Sequence, residues 1–429
     1  MENHVQSIED NLVEGLSFKL KAGASYVTNR RSVSYFPQGS NTYSVTGTRV
    51  IKFHLTGDQW LDPQSLRLMF QLKNTHATAD LFPIHYDPNI MFRRVRLIAG
   101  GQIIEDIDSY NRLAVMFNAL KSEEAQLTTA TEGFGNYDVA ETSPLYTAGN
   151  LHELGGPVKF DNDTRWVMCK PLLGLFNQDK YLPIRYLPLQ IEFELVNTAA
   201  EIVDTTGTTS ETWEILLPQI KCDVITLDNS LDNEYTQHMM GGKTLPINFT
   251  SFAHMVSQTG GTKDFSVNVV RTFTRLKSAF VSLYRTASAT DKLKEVNYFY
   301  HSADEQATDI YYSTEEHTFQ LQIGSKLYPE YPIQSLTEAF YQLRKALGFN
   351  HKMNMTARWY RTSKYVIGIE LEKVNGAGFT GISTKAGDLI TLNFKDCEFT
   401  GGTIPDEAYV CLVYDALIKI SDGGLLVYE

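Results

Sequence analysis

Two stretches of the chain, 224 residues apart, are built to one plan. The first, RLIAGGQIIEDIDSYNRLAVMFNAL from Arg96 to Leu120, reads as a strand, a two-glycine turn, a returning strand and an amphipathic helix. The second, LQIGSKLYPEYPIQSLTEAFYQLRKAL from Leu321 to Leu347, reads the same way. In the first, Val95 and Leu97 alternate with Arg94 and Arg96, the period of a strand with one buried face. Gly100 and Gly101 permit the positive φ values of a two-residue hairpin turn. Tyr110, Leu113, Ala114, Phe117 and Leu120 then recur at helical spacing. In the second, Phe319, Leu321 and Ile323 alternate with Gln320 and Gln322, and Gly324-Ser325 suits a hairpin turn with glycine first. Leu336, Phe340, Leu343 and Leu347 share one helix face, and Ser335 with Glu338 matches a capping box at its start.

The two units are flanked alike. A strand beginning at Ser65 (SLRLMFQL) precedes the first, and one beginning at Ser278 (SAFVSLYR) precedes the second. An Arg-Trp pair follows each helix, at Arg165-Trp166 and Arg358-Trp359. LPLQIEFELV and IKCDVITL close the first half; DLITLNF and YVCLVYDALIKI close the second. An ordered series that recurs at domain-sized spacing points to tandem duplication rather than a solenoid. Many short strands, Gly/Pro turns and one substantial helix per half predict an all-β chain of two tandem β-sandwiches. The jelly roll is the sandwich that capsids and lectins use most. The expected divisions are an extended polar N-terminal arm at residues 1–45, a first jelly roll at 46–235 and a second at 236–429. The boundary falls near TQHMMGGKTLP, residues 236–246.

With 429 residues the chain can bury two such cores, and 12% aromatic residues suit pleated, half-buried surfaces. Its net charge of −12 excludes bulk attraction to nucleic acid. The charge is uneven, however. No Asp or Glu occurs from Gly15 to Gly57, where Lys19, Lys21, Arg30, Arg31, Arg49 and Lys52 contribute six cations. Lys19, Lys21, Arg30 and Arg31 are therefore candidate contacts to a genome, to lipid head groups or to an acidic neighbour. The plainer reading is an arm that is solvated or crosses an acidic surface of its own protein.

Enzymatic chemistry is sought and not found. GGKT at 241–244 ends like a phosphate loop, but Gln237 stands where the loop requires glycine. Glu192 with Glu194, and Glu370 with Glu372, share strand faces; parallel neighbours on a wetter face do not flank a bond as glycosidase carboxylates do. The ten histidines form neither H-x-x-x-H nor H-E-x-x-H, and there is no G-x-S-x-G. Cys169, Cys222, Cys397 and Cys411 are isolated, the pattern of a reducing compartment and of inert core thiols, although Cys169 and Cys222 could approach across a sheet. No catalytic residue, cofactor or metal is expected. MENHVQSIED lacks an apolar signal region, so secretion is not expected, and sequons at Asn162, Asn248 and Asn354 read as chance. No run approaches 18 apolar residues, so no membrane helix is expected.

The stretches FRRVRLIAGGQIIEDIDSYNRL, FQLQIGSKLYPEYPIQSLTEAFYQL and AYVCLVYDALIKISDGG resemble the double jelly-roll major capsid proteins, and are most similar to those of polinton-like and adintovirus-like DNA viruses. The resemblance runs from about residue 45 to the end. It implies jelly rolls standing perpendicular to a shell, and three subunits forming a pseudo-hexagonal homotrimer, or hexon, in an icosahedral capsid. It further implies an arm on the inner side, in weak contact with genome or an inner membrane, and long loops facing outward. The loop from Lys121 to Asp163 is then an outer or inter-subunit element. Neighbouring capsomers, penton proteins and minor capsid proteins are the implied partners, the virion shell is the implied location, and no small-molecule substrate is implied. The alternative is a jelly-roll carbohydrate-binding attachment protein, for which YFYHSADEQATDIYY at 298–312 could supply an aromatic cluster.

Overall fold

The computed structural model describes residues 27–122, 124–126, 132–134, 158–159, 161–203, 209–284, 317–348, 351–361, 364–373, 380–385, 388–398, 404–421 and 424–428. The first half contains β1 (Val27–Tyr35), β2 (Thr42–Tyr43), β3 (Val50–Leu55), β4 (Trp60–Leu61), β5 (Arg67–Asn74), β6 (Phe92–Ala99), β7 (Gln102–Ile107), helix α1 (Tyr110–Ala119), β8 (Thr164–Cys169), β9 (Leu182–Pro183), β10 (Leu189–Leu195) and β11 (Trp213–Leu227). Helix α2 (Asn229–Met240) leads into the second half. There follow β12 (Leu245–Gln258), β13 (Phe265–Val269), β14 (Leu276–Tyr284), β15 (Thr318–Ile323), β16 (Lys326–Ile333), helix α3 (Leu336–Leu347), helix α4 (Ala357–Arg361), β17 (Ile367–Glu370), β18 (Ile390–Lys395), β19 (Glu407–Ser421) and β20 (Gly424–Tyr428).

These strands form two sandwiches of the same topology. In the first, one sheet runs β3-β10-β6-β7, and the other has β11 between β1 and β5, with β8 beyond β5. In the second, the corresponding orders are β13-β18-β15-β16 and β12-β19-β14-β17. Each position in one half has its counterpart in the other, and all pairings are antiparallel. This is the double jelly roll. Alternation creates each core. On β5, Leu68, Phe70 and Leu72 are buried between half-buried Arg67, Met69, Gln71 and Lys73. On β10, Ile191 and Phe193 face in, and Phe193 meets the rings of Phe53 and Phe92.

The hairpin tips use glycine as backbone geometry demands. Gly100 and Gly101 turn β6 into β7 with φ of 54° and 80°, both left-handed, and Gly324 turns β15 into β16 with φ of 59°. Side chains are strained at such angles.

Four local expectations are corrected. Residues 27–35, assigned to the arm, form β1 and pair with β11 along its length. Six of its residues are exposed, so no apolar period announces it. Arg165-Trp166 and Arg358-Trp359 are not equivalent: the first lies in β8, the second in α4, and β17 occupies the place matching β8. A dipeptide carries no period, so it could not report its own secondary structure. The boundary segment opens in the last residues of helix α2, which is started by the Asp228 carboxylate accepting from the Ser230 amide and stopped at Gly241, and it ends in the start of β12. With α4, α2 also makes the described helices more than one per half.

Candidate assembly interfaces

The two sandwiches meet through α1 and β7 of the first and the outer face of β12-β19-β14 of the second. Glu105 on β7 is fully buried at this joint. It accepts hydrogen bonds from the Gly174 and Leu175 amides at 2.9 and 3.0 Å and from Ser251 Oγ on β12 at 2.7 Å. Burying a carboxylate is costly without donors, and these three supply them. Gly174 is required here by space: a Cβ would overlap the Thr250 carbonyl oxygen.

Beside this carboxylate the contact turns aromatic. Phe117 of α1 packs on Phe252 of β12 and Phe280 of β14, with centroids 5.3 and 5.6 Å away. The Arg112 guanidinium lies over the rings of Tyr284 and Tyr409 at 5.0 and 5.6 Å. His254 Nδ1 is 2.9 Å from the Asp108 carbonyl, and its ring stacks on Tyr409. Burial lowers the His254 pKa to about 4, against the carbonyl hydrogen bond that favours the cation, so the ring is neutral near pH 7. Past the helices, His351 Nε2 reaches the Leu120 carbonyl at 2.6 Å, and the Asn354 amide donates to the Lys121 carbonyl at 2.9 Å. No sequence motif marks this joint.

The cations of the acid-free segment are engaged by their own protein where they are described. Arg30 bridges Asp62 at 2.6 Å and Asp223 at 2.9 Å. The hydrogen bond to Asp223 is the main influence raising its pKa. Arg31 donates to the neutral Gln59 amide oxygen at 3.0 Å. Arg49 donates to the Leu195 and Val196 carbonyls, and Lys52 pairs with Glu192 at 2.9 Å. Lys19 and Lys21 lie outside the described residues, as do residues 298–312 and most of the loop from 121 to 163.

The paired carboxylates have structural roles. Glu192, expected on a solvated face, is buried. Its neighbours across the sheet are Lys52 on β3 and Arg96 on β6, and Arg96 reaches it at 2.6 Å. Burial acts to raise its pKa, but the hydrogen bond and charge of Lys52 and the charge of Arg96 outweigh this and hold it low. Glu194 remains half-buried near Arg49 and Arg93. Glu370 ends β17 with its pKa raised by burial, and Glu372 lies beyond the strand, 3.1 Å from Lys277. The four cysteines are buried and free, and burial pushes their thiols up, Cys222 to about 12. Among the described residues no cluster of three or more His, Cys, Asp or Glu could hold a metal, and no helix is long and apolar enough to cross a membrane.

No family model and no curated protein matches the chain. Solved structures do. The capsid of virus PBCV-1 aligns with a TM-score of 0.61 at 11% identity, over 96% of this chain and 100% of that one. The Sputnik virophage structure aligns with a TM-score of 0.58 at 11% identity, over 96% and 90%. The Faustovirus major capsid protein aligns with a TM-score of 0.56 at 10% identity, over 97% and 94%. The likeness extends over both sandwiches, and it shows the fold to be that of double jelly-roll major capsid proteins.

Proposed function

We propose that this chain is a major capsid protein, a structural rather than enzymatic subunit. In this reading three copies form a pseudo-hexagonal capsomer that tiles the icosahedral shell of a DNA virus. The observation that supports it best is the near-complete alignment, at both ends, with capsid proteins of one chain and two jelly rolls. The physical logic agrees. Two sandwiches of equal topology, fixed side by side by a buried carboxylate and an aromatic seam, give one chain two of six quasi-equivalent positions. Three such chains close a ring without leaving sandwich flanks in water.

The finer elements follow from the same reading. We place the division between the jelly rolls in α2, near residue 236. Residues preceding β1 lie on the inner side of the shell, where Lys19 and Lys21 make weak contact with genome or an inner membrane. Arg30 is committed to Asp62 and Asp223, so on β1 it is Arg31 whose charge is directed outward to a neighbour. Gly100, Gly101, Gly324 and Ser325 act as rigid tips. Penton and minor capsid proteins complete the shell, and assembly takes place in the host cell, without secretion.

Light scattering on purified protein tests the central claim. A stable trimer is expected at micromolar concentration, and shell fragments or closed particles should appear by electron microscopy on concentration. A monomer at every concentration would overturn the proposal.

A further inference from the structure

The seam between the sandwiches holds a titratable ring at its centre. His254 is buried on β12, against the turn that leads into α1. A carbonyl oxygen can only accept, so in its 2.9 Å contact with Asp108 the imidazole carries its hydrogen on Nδ1. Nε2 is then the atom left to bind a proton. The elements packed around the ring differ in what they bring to it. β12 contains no Asp, Glu, Lys or Arg, and its Ser251, three residues earlier, is tied to Glu105. β19 brings Cys411, opposite His254 in the ladder, and Tyr409, whose ring stacks on the imidazole and whose hydroxyl donates to Glu407 at 3.1 Å. β14 brings Tyr284, edge-on to Tyr409. The first half brings the Arg112 guanidinium, 5.6 Å from the centre of the same Tyr409 ring. It also brings the Asp108 carboxylate, nearly half exposed and 3.9 Å from Arg93.

A second proton on His254 therefore sets two cations against one aromatic ring, in a seam that excludes water. Burial and the Arg112 charge oppose that proton, while the Asp108 carbonyl and carboxylate favour it, and in the closed seam the opposition prevails. Parting the sandwiches would hydrate the ring and remove both obstacles. The fold permits such a movement. Each half has its own pair of sheets, and α2, which joins them, buries only Met239 of its twelve residues. The contacts that hold the halves together are side-chain contacts of α1 and β7, not a shared strand ladder.

We propose that the seam is an acid-opened hinge. When His254 takes a proton from solvent, the new cation beside Arg112 drives the two sandwiches apart about α2, and each sandwich keeps its own sheets. This is a property of the single chain, whatever number of copies assembles. The direction follows from linkage. The closed seam holds the ring's pKa at about 4, below its ordinary 6.5, so the open form binds more protons at any pH between them. Opening is thus favoured as pH falls from 6.5 towards 4. The gap between the two values limits the gain of open over closed to about 300-fold. The chain is one rigid body at neutral pH and two tethered bodies in acid.

Hydrogen exchange read by mass spectrometry on the full chain, in steps from pH 7 to pH 4, tests the hinge. Each rate is compared with that of an unstructured peptide at the same pH, which leaves protection alone. α1 is the reporter, because a ten-residue helix frays once its covering sheet is gone, and β10 and β18 report the two cores. In the parent chain the protection of α1 is expected to fall with pH, by up to about 300-fold beyond any change in β10 and β18. His254→Gln keeps a donor for the Asp108 carbonyl and cannot gain a charge, so its α1 protection should stay level. Level protection in the parent would overturn the hinge, and so would α1, β10 and β18 losing protection together, which is unfolding rather than parting. A fall that persists in His254→Gln would assign the switch to another group and overturn this one. Should that variant fail to fold, Arg112→Gln takes its place. With one of the two cations gone the fall should shrink, and an undiminished fall would overturn the pairing of His254 with Arg112.

Discussion

At the scale of single residues, the joint between the jelly rolls depends on Glu105. Gly174, Leu175 and Ser251 donate to it, and removing a buried acceptor leaves each donor with a desolvation penalty. Glu105→Ala should therefore destabilise the protein by roughly 3 kcal/mol, given about 1–3 kcal/mol for an unsatisfied buried group. Calorimetry would show a lower melting temperature, and an unchanged one would remove Glu105 from this role. Histidines give the pH response. His85 and His254 are lowered to about 4, and His317 to about 3, in each case first by burial. Unfolded, each takes its proton near the ordinary 6.5, so below that pH the unfolded chain binds more protons. Their contribution is complete above pH 6.5 and is lost as pH falls through 4 and then 3. It is on the order of 3 kcal/mol for His85 and for His254, and on the order of 5 kcal/mol for His317, at 1.36 kcal/mol per pKa unit. A melting temperature that stays level from pH 7 to pH 4 would contradict this.

Among the elements, those with a strong period were legible. The alternation of β5, the glycine tips of the two hairpins and the helical stripe of α3 all stand where the residues place them. The start of α3 follows its chemistry in a slightly altered form. Ser335 Oγ accepts from the Glu338 amide at 3.1 Å, but the Glu338 carboxylate reaches back to the Gln334 amide rather than to that of Ser335. Ser335→Ala should cost about 1 kcal/mol, read as a drop in the denaturant midpoint, and no drop would show that the cap is dispensable. Elements without a period were misread. β1 has no buried face of its own, and its strand form comes from the hydrogen bonds of β11. Glu192 looked solvated by alternation, yet the cations that bury it stand on β3 and β6, far away in sequence.

For the whole molecule, two jelly rolls of one topology are joined into one unit by the buried Glu105 and the aromatic seam of α1. The proposed trimer belongs to this scale, because it is not a property of a single half. Duplication and the sandwich class were determined by sequence alone. Residue periodicity and glycine placement act through local backbone geometry, and local geometry repeats wherever the pattern does. The tertiary structure alone decided which sheet covers α1, why Gly174 has no side chain, and why Arg30 is spent on Asp62 and Asp223. Those facts come from contacts between residues far apart in the chain, and no periodicity along a sequence encodes which distant surfaces exclude water together.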